Sequence, residues 1–74
     1  MRSKVRELRT DRGWSQVQLA TALGVSRQTV NALETGRYVP SLTLAFRASA
    51  IFELPIEHIF FPTEDDAPPS GGRQ

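Results

Sequence analysis

Apolar residues recur along this chain at the three- and four-residue spacing of helices that share a core, and Gly, Ser and Pro interrupt them at short intervals. The pattern predicts four or five short helices and no convincing strand. The first runs from Arg2 to Arg12, with Val5 and Leu8 on one face, and Gly13 ends it. The second opens on dense start signals: Ser15 as N-cap, Gln18 closing a capping box three residues later, and Trp14 placed to staple onto Leu19. It ends at Leu23, where Gly24 stops it. Ser26 caps a third helix, Arg27 to Glu34, with Val25 and Val30 as its staple and Gly36 as its stop. Ser41 caps a fourth, Leu42 to Phe52. Pro55 suits the first turn of a fifth, Ile56 to Phe61, which Pro62 ends. From Thr63 onward the chain is polar and rich in Pro and Gly, so residues 62–74 read as a disordered tail behind a single domain, residues 1–61.

One connection carries more than packing. Only Val25 separates Gly24 from the next cap, Ser26, too short a link to reverse the chain into an antiparallel pair. It sets the second and third helices at a steep angle, as in a helix-turn-helix. Ala20 is small where the two helices must approach, and Leu19, Leu23, Val25, Val30 and Leu33 supply a shared apolar seam. At about 100° per residue, Val30, Leu33 and Ser26 face inward on the third helix. Gln28, Ala32 and Thr35 then point outward, flanked by Thr29 and Asn31, with Arg27 at the N-terminal edge. That outward face is polar, small and almost free of carboxylates.

The run from Gln16 to Gly36, QVQLATALGVSRQTVNALETG, resembles the DNA-binding motif of the phage-repressor and Cro-like (xenobiotic-response-element type) family of helix-turn-helix transcriptional regulators. The resemblance extends through Tyr38, Pro40-Ser41-Leu42 and the segment from Pro55 to Phe60, covering residues 2–61. It implies an all-α, compact five-helix bundle of the lambda-repressor-like type, in a minimal bacterial or phage regulator made of this domain alone. Within the motif, Arg27, Gln28, Thr29, Asn31 and Ala32 are the expected base contacts. Arg pairs with guanine O6 and N7, Gln or Asn with adenine N6 and N7, and a methyl side chain touches thymine. The resemblance assigns Gln16, Arg37 and Tyr38 to the DNA backbone, with Thr35 beside them. It also pairs Arg9 with Glu34, so that the one carboxylate near this surface serves to hold the first helix against the third. Lys4 and Arg6 are weaker candidates for the DNA backbone, Arg47 reads as solvated surface, and Trp14 as a core staple rather than a stacking platform. Glu53 stands where such relatives commonly carry Gly at the end of the fourth helix.

Composition narrows the alternatives. A chain of 74 residues without cysteine has neither disulfides nor a thiolate zinc site. His58 is the only imidazole, so no two-His metal site forms within one chain, and no paired carboxylates suggest an enzyme. No stretch approaches the ~20 apolar residues of a membrane span, and the basic N-terminus lacks the apolar run of a secretory signal. The expected location is the cytoplasm. Net charge is +1, but residues 1–61 hold eight Lys/Arg against five Asp/Glu, a balance of +3, while the tail is acidic. A mildly basic body permits nucleic-acid binding without requiring it.

A core of this size rarely supplies more than about 3–5 kcal/mol unaided. Leu54, Ile56, Ile59, Phe60 and Phe61 exceed what one face of a six-residue helix buries, so they are the expected dimer interface. The resulting expectation is a sequence-specific DNA-binding regulator, acting as a repressor from a palindromic operator as a homodimer, without metal, cofactor or required small-molecule ligand. The alternatives are a protein-interaction module that has lost DNA binding, and a controller or antitoxin-type regulator of a linked toxin or restriction system.

Overall fold

The computed structural model describes residues 1–66. Among them are four α-helices, α1 (Val5–Asp11), α2 (Gln16–Leu23), α3 (Arg27–Glu34) and α4 (Leu42–Phe52), and two short strands, β1 (Arg2–Ser3) and β2 (Phe60–Phe61). The capping residues act as their chemistry requires. Ser15 Oγ accepts the Gln18 N–H at 3.0 Å, and the Gln18 carboxamide accepts the Ser15 N–H at 2.7 Å, a complete capping box. Ser26 and Ser41 cap α3 and α4 in the same way, through the N–H groups of Thr29 and Leu44. Leu19, Leu23, Val30, Leu33, Leu44, Ala45, Ala48 and Phe52 meet in one core, with Val5 from α1.

Several expectations are corrected here. The fifth helix is a single 3-10 turn, Ile56–His58, followed by an extended Phe60–Phe61. A helix of six residues confined between two prolines gains few hydrogen bonds for its nucleation cost. Pro62 also biases Phe61 toward an extended backbone. The strand so formed pairs antiparallel with Arg2–Ser3, Arg2 opposite Phe61 and Ser3 opposite Phe60, and the Lys4 N–H donates to the Ile59 carbonyl at 2.8 Å. The first helix accordingly starts at Val5, not Arg2. The domain is thus helical with a two-stranded closure.

The second correction concerns the apolar surplus. Ile59 and Phe60 are core residues, 0% and 5% exposed, because the end of the 3-10 turn and the start of the extended segment carry them into the core cluster. Leu54, Ile56 and Phe61 are half-buried. The expected tail also begins later than residue 62. Glu64–Asp66 form a further 3-10 turn, where Asp66 accepts from the Thr63 N–H at 3.0 Å and lies 3.1 Å from the Met1 amino group. The rest of the expected tail, residues 67–74, lies outside the described residues.

Candidate nucleic-acid interface

The geometry of the site starts at Gly24, whose φ of 74° puts the end of α2 in the left-handed region. The N–H of Gly24 donates to the Thr21 carbonyl and that of Val25 to the Ala20 carbonyl. These bonds consume the last donors before Ser26 starts α3. On α3, Val30 and Leu33 are buried against α2, which fixes the helix's rotation about its axis. Arg27 and Gln28 are left exposed, while Thr29, Asn31 and Ala32 are half-buried. Thr35, Arg37 and Tyr38 are exposed at and just beyond the C-terminus of α3. The structure therefore gathers the expected base-reading residues on one side of α3 and sets three of the expected backbone contacts beside them.

Individual groups are not equally available. Gln28 makes no side-chain hydrogen bond among the described residues. The Thr29 hydroxyl lies 3.1 Å from Ser26 Oγ, within the cap of its own helix. Gln16 sits at the first turn of α2, but its carboxamide spans the site: Nε2 donates to Glu34 at 3.1 Å, and Oε1 accepts from Arg27 at 3.4 Å. Arg37 folds back onto α3, donating from Nε to Thr35 Oγ1 at 3.2 Å and from Nη2 to Asn31 Oδ1 at 3.4 Å.

Arg9 and Glu34 meet in a two-pronged pair. Nε lies 2.5 Å from Oε2 and Nη2 3.3 Å from Oε1, with side chains only 13% and 4% exposed. Arg9 Nη1 also donates to the Trp14 carbonyl at 2.8 Å, so one guanidinium ties α1 to the α1–α2 link and to α3. Its electrostatic consequence is local. Glu34 is the only carboxylate between Asp11 and Glu53, and Arg9 neutralises it. The stretch carrying α2, α3 and the following loop thus presents Arg27 and Arg37 without an unpaired negative charge.

Sequence reasoning missed Arg47. It is the only charged residue within α4, a signal that it had a partner, and its Nη1 donates to the Leu23 carbonyl at 3.1 Å. It therefore satisfies the C-terminus of α2 directly under the Gly24 turn. Arg12 also covers aromatic side chains of the core: its guanidinium lies over both Trp14 and Phe52, 5.5 and 5.1 Å from the ring centroids. Trp14 and Phe52 themselves pack 6.1 Å apart, so Trp14 is a buttress of the core. Among the described residues no group of His, Cys, Asp or Glu is arranged to hold a metal, and no helix is long and apolar enough to cross a membrane.

Comparison with known proteins agrees with this geometry. A helix-turn-helix family model matches residues 5–59. An uncharacterized HTH-type transcriptional regulator, YgzD of Bacillus subtilis, is 46% identical over 66 residues, 89% of this chain and the whole of that protein. Another from Methanothermobacter thermautotrophicus is 52% identical, covering 90% of this chain and 99% of the relative. Among solved structures, a hypothetical transcription factor from Neisseria superposes with a TM-score of 0.66 at 30% identity, over 73% of this chain and 61% of that one.

Proposed function

Because this chain belongs to the helix-turn-helix family of DNA-binding transcriptional regulators, which are not enzymes, we propose that it acts as a repressor that occupies a near-palindromic operator as a homodimer. The observation carrying this reading is the outer side of α3. Arg27 and Gln28 stand exposed on a helix whose only carboxylate is neutralised by Arg9. Such a surface fits the major groove, where Gln28 pairs with adenine and Arg27 with guanine or a phosphate. Asn31 and Ala32 complete the base-facing side, and Thr29 stiffens its start. Around it, Arg37, Tyr38, Thr35 and the N-terminal turn at Gln16 hold phosphates and set the register.

The dimer is supported by a different surface from the one the sequence suggested. Val39, Leu42 and Phe46 are 56%, 70% and 59% exposed, and Leu42 and Phe46 lie one turn apart on α4. Beside them a groove runs between Pro40, Ala45 and Ile56. Three large apolar side chains next to a groove on so small a protein call for a cover, and a second copy of the chain supplies it. In this arrangement Leu54 and Phe61 remain at the edge. A two-fold axis there presents two copies of α3 to one face of the duplex, with half-site centres about 10 bp apart. The regulator works in the cytoplasm and needs neither cofactor nor small-molecule inducer.

Selecting bound sequences from a random duplex pool is the test. The expected product is a symmetric site, with preference at one position lost in Gln28→Ala at a cost of about 1–3 kcal/mol. Sedimentation equilibrium is expected to give a dimer for the wild type and a folded monomer for Leu42→Glu. Recovery of no enriched sequence would overturn the regulator reading, and a wild-type monomer bound to an asymmetric site would overturn the dimer.

A further inference from the structure

We propose that Arg37, which lies outside the recognition helix, determines which base Asn31 reads, by holding the acceptor oxygen of the Asn31 carboxamide. This rests on the reading of α3 as the base-contacting helix and adds to it a positioning residue.

The two side chains differ in what they are able to donate and accept. A carboxamide carries one acceptor and one donor group, and adenine is recognised when both are used, the oxygen on N6 and the nitrogen on N7. A guanidinium has five donors and no acceptor, so only Oδ1 of Asn31 is able to face Arg37. Arg37 Nη2 donates to that oxygen at 3.4 Å. The guanidinium is not free to swing away at no cost, because its Nε donates to Thr35 Oγ1 at 3.2 Å. Thr35 is itself fixed, its hydroxyl donating to the Asn31 carbonyl at 3.0 Å. Asn31, Thr35 and Arg37 thus close a ring of hydrogen bonds at the C-terminal end of α3.

Two consequences follow from this ring. With Oδ1 turned toward Arg37 and one of its two lone pairs engaged, Asn31 presents chiefly its Nδ2 donors to the groove. It then selects a base edge made of acceptors, guanine above all with N7 and O6, over adenine. Three donors of Arg37 remain outside the ring, two on Nη1 and one on Nη2, enough to hold a phosphate at the same time. One guanidinium therefore couples a backbone contact to a base contact. Gln28, with no such partner among the described residues, keeps both its donor and its acceptor for adenine.

Duplex-pool selection on the wild type, Arg37→Met, Arg37→Lys and Asn31→Ala tests this. All three changes lie at exposed or half-buried positions, so the fold survives them. The wild type is expected to favour guanine over adenine at one half-site position by about tenfold. Arg37→Met weakens binding to every sequence and moves that position toward adenine, because Oδ1 is released. Arg37→Lys keeps the positive charge and more of the affinity, yet its single ammonium does not rebuild the ring, so the position shifts as in Arg37→Met. In Asn31→Ala the preference vanishes, and adding Arg37→Met changes the base at that position no further. A uniform loss of affinity in Arg37→Met and Arg37→Lys, with the preferred base unchanged, would overturn the proposal while leaving the regulator reading intact. A wild type that enriches no sequence would overturn both.

Discussion

Residues 15–36 and residues 53–66 are held in place by interactions of opposite range. In the first, the bonds that start each helix and form the turn join near neighbours: Ser15 with Gln18, Ser26 with Thr29, and the Gly24 and Val25 N–H groups with carbonyls of the turn before them. In the second, the deciding bonds join opposite ends of the described chain: Arg2 with Phe61, Ser3 with Phe60, and Lys4 with Ile59. The local region sets the shape of the DNA-facing surface. The distant one closes the core on which that surface is built. A helix-turn-helix of two eight-residue helices is too short to persist unaided, so its geometry is local while its stability is not.

The largest effect should come from breaking the closure at its centre. Ile59→Asp places an unpaired carboxylate at a position with no exposure and is expected to cost at least about 4 kcal/mol, enough to unfold the whole chain. Far-UV circular dichroism would then show α2 and α3 lost together with the C-terminal segment. Persistence of native helicity in Ile59→Asp would mean that the local region stands alone, without the closure.

Next in size is Glu34, where the two kinds of interaction meet. Glu34→Ala leaves the Arg9 guanidinium nearly buried without its partner, and about 3 kcal/mol of stability should be lost. A double-mutant cycle with Arg9→Ala, read by urea unfolding, is expected to show coupling of about 1–3 kcal/mol. Additive losses would mean that the pair does not act as a unit.

What was legible in the sequence divides along the same line. Ser15, Gln18, Ser26, Ser41 and Gly24 announce their roles within four residues of where they act, so α2, the turn, α3 and the start of α4 are readable from spacing alone. The closure was not, because a strand of two residues has no periodicity and Arg2 carries no mark of its pairing with Phe61. Two signals did point there, an aromatic pair directly before Pro62 and too few residues between the prolines for a helix. Misreading them moved Ile59 and Phe60 from the core to a supposed surface. On the DNA-facing side, the exposed placement of Arg27 and Gln28 follows from the helical period. The bonding of Arg37 to Asn31 and Thr35 depends on the path of the chain after Gly36, which spacing does not specify.

A smaller and opposite effect is expected at the joint between the two regions. Glu53 ends α4 with φ 57° and ψ 44°, the only non-glycine residue among those described with positive φ. A side chain in this conformation costs roughly 1–2 kcal/mol. Glu53→Gly removes that strain, while the greater freedom of glycine in the unfolded chain takes back roughly 0.4–1 kcal/mol. A net gain of about 0.5–1 kcal/mol should appear as a raised urea midpoint with unchanged slope. A loss of stability would show that the Glu53 side chain makes a contribution larger than its strain.

The smallest effect concerns the last tie of the closure. The Asp66 carboxyl is held below its ordinary pKa of 3.8, first by the Thr63 N–H, then by the Met1 amino group and the Thr63 hydroxyl. A carboxyl with a lowered pKa in the folded state stabilises the fold above its unfolded pKa, and that contribution fades as pH falls through the folded value. Water and salt screen so open a site, so the effect is slight. Asp66→Asn should therefore unfold a little more easily than the wild type at neutral pH. The gap should hold down to the ordinary carboxylate range and then narrow as Asp66 itself protonates. Urea midpoints compared from pH 7 to pH 2 measure it, best at low ionic strength. A gap that stayed constant to the acid limit would assign the contribution to the shape of the turn at residues 63–66 and not to its charge, leaving the closure dependent on β1, β2 and the buried Ile59 alone.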